Sequence, residues 1–564
     1  MRAKWIQVLF PEGFWPECKA QLKIVWPLIV LSLAIHTTGT VAVAFCSRLG
    51  TVHLGAVSLA QSIITAFGFN VAVGFSAASD TLFSQIYGGE NKRLMGTVLQ
   101  RSLYIYTLVA ILFISLYINA EFILITIGVP RETASLTNKY LLTFLPGLMC
   151  YFWYTACMKF IQNQDKINGN MFIGLSAAVI NILLHYIFLR VDDMNILGSS
   201  VAFCFTFITA FIMTVAYIFV SDMLDNTWDG CTTDAWQNWG QFFILGFAGI
   251  FLSGFEWWMV EIGLIFSGSL GEVALGSFSI LLQVEMPISN IFLALGYAAN
   301  IRVGHHLGGS KPLAAMTASA VSVTLSVISG LVFAILCFCL RFQIPKIFTS
   351  NSEVLDLSSH LFIALGSFIF FEAVNTTCNG ILKGCGLQYA GAIVSFFGFG
   401  LALAGLPIMH YSPLSIEGYW VILTCCSIIN AIGKVCIISD TDWKQQVLHA
   451  FKRTRSLASI EDDGEYKGKV DAIDDYDYIQ RQEDIQDLLL GSKEERLPLG
   501  NLICRRTLLI LFFVAILATS IAIKVNVDPT PPECAQIGNC TLADISNTSL
   551  PQHLVRTFVH LPAS

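Results

Sequence analysis

Thirteen stretches of this chain, most of them about twenty or more residues long, carry almost no charge and recur over nearly its whole length. They fall near 24–46, 54–79, 102–128, 140–161, 170–189, 196–220, 240–267, 273–300, 314–340, 357–382, 388–410, 416–438 and 507–523. A hydrocarbon layer about 30 Å thick takes about 20 helical residues to cross. Inside it every peptide group must find its partner within the chain, so such runs read as membrane-spanning helices. A single water-soluble core has no place for thirteen of them. Only 13% of the 564 residues are charged, about half the share of a typical soluble domain. The expected fold class is all-α and polytopic. The N-terminus offers no signal peptide, because Pro11, Glu12, Pro16 and Glu17 interrupt any apolar core.

Lys and Arg in the short loops set the expected orientation. One side carries Arg2, Lys4, Lys19, Lys23, Lys92, Arg93, Arg101, Lys159, Lys166, Arg302, Lys311 and Lys383, twelve in all. The other carries six: Arg48, Arg131, Lys139, Arg190, Arg341 and Lys346. The N-terminus is therefore expected in the cytoplasm. The linker 221–239 runs against this rule, with Asp222, Asp225, Asp229 and Asp234 and no Lys or Arg. Span thirteen follows Arg505-Arg506, a cytoplasmic flank, which puts the tail outside. That tail holds two glycosylation sequons, at Asn539 and Asn547. It also holds Cys534 and Cys540, close enough to bridge in an oxidising compartment. Most other cysteines lie inside apolar runs as small hydrophobes. No Cys-x-x-Cys pair or Cys/His cluster argues for a metal, and no cofactor is expected.

The chain repeats itself at an offset near 220. Leu49-Gly-Thr-Val-His-Leu-Gly-Ala-Val-Ser58 lies over Leu270-Gly-Glu-Val-Ala-Leu-Gly-Ser-Phe-Ser279, Tyr87-Gly-Gly89 over Leu307-Gly-Gly309, and Gly198 over Gly418. Six spans per half is an even number, so both halves enter from the same side. Two six-helix lobes related by a pseudo-two-fold axis along the membrane normal are expected, with the binding site between them. The expected division is a lobe at 1–220, a linker at 221–239, a lobe at 240–438, a charged disordered cytoplasmic linker at 439–505, span thirteen at 506–524 and an extracellular tail at 525–564.

Span seven holds the chemistry. Leu252-Ser-Gly-Phe-Glu-Trp-Trp-Met-Val-Glu261 sets Glu256 and Glu261 in an otherwise apolar run. A carboxylate at bilayer depth costs several kcal/mol and faces a bundle interior or a wet cavity. At 100° per residue Glu256 shares a face with Val260, while Glu261 shares one with Trp257 about 140° round. The two acids need not share a cavity. Trp257 and Trp258 offer aromatic faces to a cation. Asp80, at a helix end beside a glycine-rich turn, reads as structural or gating rather than substrate-binding. His36 and His185 lie in spans one and five. There is no Gly-x-x-x-x-Gly-Lys-[Ser/Thr] loop, so the chain is no ATP-driven pump by itself. Neither His-Glu-x-x-His nor Gly-x-Ser-x-Gly occurs in the spans, and no enzyme activity is expected.

Leu-Gly-x-Val-x-Leu-Gly, Asp80-Thr-Leu-Phe-Ser-Gln-Ile-Tyr-Gly88, Arg302-Val-Gly304, Glu256-Trp-Trp258 and Gly380-Ile-Leu-Lys-Gly-Cys-Gly386 resemble the multidrug and toxic compound extrusion (MATE) family. The likeness covers about residues 20–440, and a thirteenth span after a polar linker resembles its animal branch. The resemblance implies efflux of organic cations in exchange for H+ or Na+. It carries the main coupling acid to Glu256, a tenth-span acid to Glu372, and a second seventh-span acid to Glu261. An eighth-span acid falls at Gln283, a departure, with Glu285 two residues on. Asp80, Gln85 and Tyr87 of the second-span motif are carried over as gating or structural positions.

The reading is thus an antiporter exporting organic cations and xenobiotics against protons by alternating access. Glu256 is its main proton and cation site, and Glu372, Glu261, Trp257 and Gln283 are further binding candidates. A monomer in the plasma membrane is expected, with no nucleic-acid partner. Na+ coupling, a lipid flippase and, least favoured, a channel are the alternatives.

Overall fold

A computed structural model describes residues 13–410, 415–458 and 499–526. Among the described residues the chain forms helices joined by short turns, with no strand. The first lobe comprises α1 (Phe14–Cys46), α2 (Thr51–Gly88), α3 (Leu94–Ile118), α4 (Arg131–Gln162), α5 (Ile167–Val191) and α6 (Asn195–Val220). The second comprises α7 (Trp239–Ser269), α8 (Glu272–Gly308), α9 (Pro312–Leu340), α10 (Ser352–Cys385), α11 (Gln388–His410) and α12 (Ser415–Ser439). A thirteenth helix, α13 (Leu499–Asn526), packs on α3. The helices outrun the apolar stretches at their polar ends. With 38 residues in α2 and 37 in α8, each spans about 55 Å at 1.5 Å per residue, more than the hydrocarbon layer alone.

Packing repeats between the lobes. In the first, α4 packs on α2, α3 and α6, and α5 on α1 and α6; in the second, α10 packs on α8, α9 and α12, and α11 on α7 and α12. Between the lobes α2 lies against α8, while the α1–α8 contact is mirrored by α7–α2. The two-fold relation is also local. Gly50 and Gly271, opening α2 and α8, take φ 101° and 113°, a conformation open to glycine and strained for other residues.

The sequence expectation needs three corrections. Span three does not run to 128: α3 ends at Ile118 and a separate helix, Ala120–Thr126, follows. Asn119 at the break turns its amide to Ser520 of α13, 2.5 Å from the hydroxyl. The charged segment does not begin as disordered chain, because Trp443–Ala458 is a helix. Its Val447, Leu448 and Ala450 are buried against the ends of the lobes, an apolar stripe at helical spacing. Finally, Arg101, Lys159 and Lys383 are buried side chains rather than loop charges, so they carry no orientation signal. The rest of the charged segment, and the tail with Asn539, Asn547, Cys534 and Cys540, lie outside the described residues.

The acidic linker finds its counter-charges on neighbouring elements. Arg93 pairs with Asp229 at 2.8 Å, Arg101 donates to the Asp234 carbonyl at 2.9 Å, and Arg506 donates to the Trp236 carbonyl at 2.9 Å. The starts of α3 and α13 and the 221–239 linker therefore share one face of the molecule.

Candidate functional site

The interiors of the two lobes differ in kind. The first is lined by rings, with Phe207 packed edge to face on Phe69, Tyr151 and Phe203, and Phe69 tilted on Tyr151 and Phe144 on Phe203. Its buried charges are held away from these rings, Asp80 and Lys159 by each other and Arg101 by the linker. His185 receives or donates hydrogen bonds at Ser199 (3.1 Å) and the Asn181 carbonyl (2.8 Å), as an interhelical structural histidine does. The second lobe buries charge.

That charge comes from a stripe along α10. Glu372, the adjacent Asn375 and Thr376, Asn379 and Lys383 recur every three or four residues, which gathers them toward one side of a helix. The face lies close to α8 because glycines meet there: a Cβ on Gly380 would overlap the Gly296 carbonyl. From α8 the same space receives Ser289, Leu293 and Tyr297, and from α7 Ser253, Glu256 and Trp257. The result is a narrow cleft whose free volume of about 20 Å³ holds about one water molecule.

Three carboxyl groups are buried in or beside this cleft: Glu256 at 7%, Glu285 at 4% and Glu372 at 5% exposure. Each has one satisfied oxygen. Asn375 donates to Glu256 Oε2 at 3.0 Å, Thr376 to Glu372 Oε1 at 2.5 Å, and Ser289 to Glu285 Oε1. The second oxygen of each, Glu256 Oε1, Glu285 Oε2 and Glu372 Oε2, is buried without a hydrogen-bond partner among the described residues. A bare carboxylate oxygen in this position is costly. It is relieved by a proton, by a cation or by the one water the cleft can hold. Lys434 of α12, fully buried, donates to Asn375 Oδ1 at 2.6 Å.

The remaining candidates divide cleanly. Trp257 lines the cleft. Glu261 does not: it is half-buried beside Ser62 of α2, on another face of α7. Gln283 is exposed on the outside of α8, while Glu285 takes the inward place. Asp80, Gln85 and Tyr87 lie in the seam between the lobes. Asp80 pairs with Lys159 at 3.1 Å, both buried, and the ammonium sits 3.5 Å over the Tyr297 ring. Gln85 donates to the Gly384 carbonyl at 2.8 Å, and the Tyr87 ring lies 5.0 Å from that of His305. Arg302 grips Glu17 with two bonds of 2.8 and 2.6 Å. These contacts seal the lobes together at the end marked by Gly88 and Gly308.

Asn375, Lys383 and Lys434 are the members that sequence reasoning passes over, and Glu285 is named there only as the acid two residues after Gln283. The α10 stripe is the signal that points to Asn375 and Lys383. Among the described residues no group of three or more His, Cys, Asp or Glu gathers as metal ligands.

The MatE family model matches residues 27–187 and 249–408, one segment in each lobe. The chain is 33% identical over 457 residues to Multidrug and toxin extrusion protein 1 of Xenopus tropicalis, covering 80% of this chain and 79% of that one. It is 29% identical over 437 residues to the Homo sapiens protein of the same name, covering 77% and 76%. Among solved structures, the eukaryotic MATE transporter AtDTX14 superposes with a TM-score of 0.74 at 23% identity, over 78% of this chain and all of that one. The Vibrio cholerae MATE transporter VcmN in its bent form superposes at 0.64 and 17% identity, over 78% and 98%.

Proposed function

The chain belongs to the multidrug and toxic compound extrusion family of membrane transporters, and from that premise we propose that it exports small organic cations in exchange for protons. The observation that carries this reading is the pair Glu256 and Glu372. Both line one cleft, and each holds a buried oxygen without a hydrogen-bond partner among the described residues, a place that can take a proton or a cation. With the N-terminus in the cytoplasm, the sealed end faces inward and the cleft serves the outside.

In that state a proton from outside neutralises Glu256 and loosens its hold on the cation. The cation leaves, the lobes rock, and the proton is lost to the cytoplasm. Glu256 then takes the next cation, with Trp257 offering an aromatic wall worth about 0.5–2 kcal/mol to a positive charge. Glu372 shares the proton. A monomer suffices for this cycle, and the plasma membrane is the setting that export implies.

The test is uptake of a fluorescent organic cation into proteoliposomes under an imposed pH gradient, with a parallel Na+ gradient. Accumulation driven by pH alone is expected. Accumulation driven by Na+ alone overturns the choice of ion. If neither gradient moves the cation, the export reading fails and lipid cargo is tested next.

A further inference from the structure

We propose that Lys434 is a positioning residue for the coupling site. Through Asn375 it holds one oxygen of Glu256 as an acceptor and leaves the other free for a proton or a cation. This rests on Glu256 being the carboxyl group that cation and proton share.

An ammonium has three donors and no acceptor. The Asn375 atom 2.6 Å from Lys434 Nζ must therefore be the amide oxygen. That turns the amide nitrogen, which has only donors to offer, toward Glu256 Oε2 at 3.0 Å. Oε2 is then bound as an acceptor and cannot point a proton at Asn375. The exchangeable proton or the bound cation is left to Oε1, the buried oxygen without a partner. The whole chain is sealed from solvent, since Asn375 and Lys434 are both 0% exposed. Glu372 and Cys378 of α10 are the other groups that face the ammonium, with Lys383 the nearest like charge. A lysine here does what no neutral donor does as firmly: it forbids the flipped amide, which would set oxygen against carboxylate.

The experiment measures pH-driven cation uptake in proteoliposomes for Lys434→Met, Lys434→Arg, Asn375→Asp, Asn375→Ala and the Lys434→Met/Asn375→Ala pair. Glu256→Gln runs alongside. Lys434→Met is expected to raise KM about tenfold, the loss of one charge-assisted hydrogen bond, with the maximal rate per reconstituted transporter within about twofold. Lys434→Arg keeps cation and donors and stays near wild type. Asn375→Ala removes the donor to Glu256 and raises KM as Lys434→Met does, whereas Asn375→Asp sets a second carboxyl against Glu256, and the proton the two share moves the pH dependence of uptake upward. Asn375→Ala decides the matter if Lys434→Met does not fold. In the Asn375→Ala background, Lys434→Met adds less than about twofold, because the link is already cut.

An unchanged KM in Lys434→Met or Asn375→Ala overturns the proposal. So does a tenfold rise that persists without Asn375, which makes the lysine a bare charge. A lower maximal rate at constant KM reduces it to packing. If Glu256→Gln transports normally, the coupling reading itself has failed. If Glu256→Gln is dead and Lys434→Met behaves as wild type, only the relay has.

Discussion

Ser84 of α2 touches Gly304 of α8, and a Cβ on Gly304 would overlap the Ser84 side chain. The two positions are equivalents, 220 apart (84 and 304) in the repeat, so the pseudo-two-fold axis passes between them. Around it the contacts are reciprocal. A Cβ on Gly88 would strike the His305 carbonyl, and one on Gly308 would strike the carbonyl of Gln85, the equivalent of His305. A self-complementary surface of this kind is what two-fold symmetry builds, and here it forms the seal of one conformational state.

Gly308→Val should hold this seal open, because the atom it meets is backbone and cannot swing away. Overpacking of this kind costs about 1–3 kcal/mol. Uptake should fall about tenfold, and Cys385, 1% exposed when sealed, should react faster with a thiol reagent, read by peptide mass spectrometry. Unchanged uptake and unchanged Cys385 reactivity would refute the glycine contact as a closing surface.

The Asp80–Lys159 pair makes a stability prediction. Removing one partner strands the other charge in a dry seam, at about 3–5 kcal/mol. Asp80→Asn and Lys159→Met should each lower the unfolding temperature in detergent, and the double variant should recover much of the loss. Additive losses would mean that the pairing is not what matters.

A basic clamp crosses the seam from the helix Trp443–Ala458. Arg453 donates to Gln85 Oε1 of the first lobe at 3.0 Å and to the Cys385 carbonyl of the second at 2.8 Å. One turn earlier, burial holds the His449 imidazole down from the ordinary 6.5 to about 4. Above about 6.5 docked and undocked helices carry the same charge here, and docking is at full strength. Between 6.5 and 4 only the undocked helix takes up a proton, so docking weakens as pH falls. Hydrogen exchange of residues 443–458, corrected for intrinsic chemistry, should rise through that window, and His449→Phe should flatten the rise. Exchange that is level with pH in the native protein would count against this.

The eighth helix separates Gln283 and Glu285 by burial. Gln283 is exposed and Glu285 buried, so Gln283→Leu should leave uptake within about twofold while Glu285→Gln lowers it about tenfold or more, as loss of a buried ionisable group at membrane depth does. The reverse order would move the eighth-span contribution back to Gln283.

Much of this architecture is legible in the residues. Apolar length announces the spans, and the Leu49–Ser58 and Leu270–Ser279 match announces the two lobes. Glu256 and Glu372 stand out because a carboxylate amid apolar neighbours has no bland place to go. Lys434 is hidden, since a lone lysine near the end of an apolar run reads as a flanking charge. Lys383 is hidden among the glycines of Gly380–Gly386, which imitate a loop. Asn375-Thr-Thr377 reads as a formal sequon, and only its spacing from Glu372 and Asn379 reveals the stripe. The helix Trp443–Ala458 is masked by its own basic face. Its amphipathic period is present in Val447, Leu448 and Ala450, but charge dominates the segment around it.

The central claim is that proton and cation compete for Glu256. The most direct measurement is proton release from the purified transporter in weakly buffered detergent when an organic cation is added. Release of about one proton per bound cation is expected for the native protein, and none for Glu256→Gln. Saturable cation binding with no proton released, or the same release from Glu256→Gln, would contradict the claim.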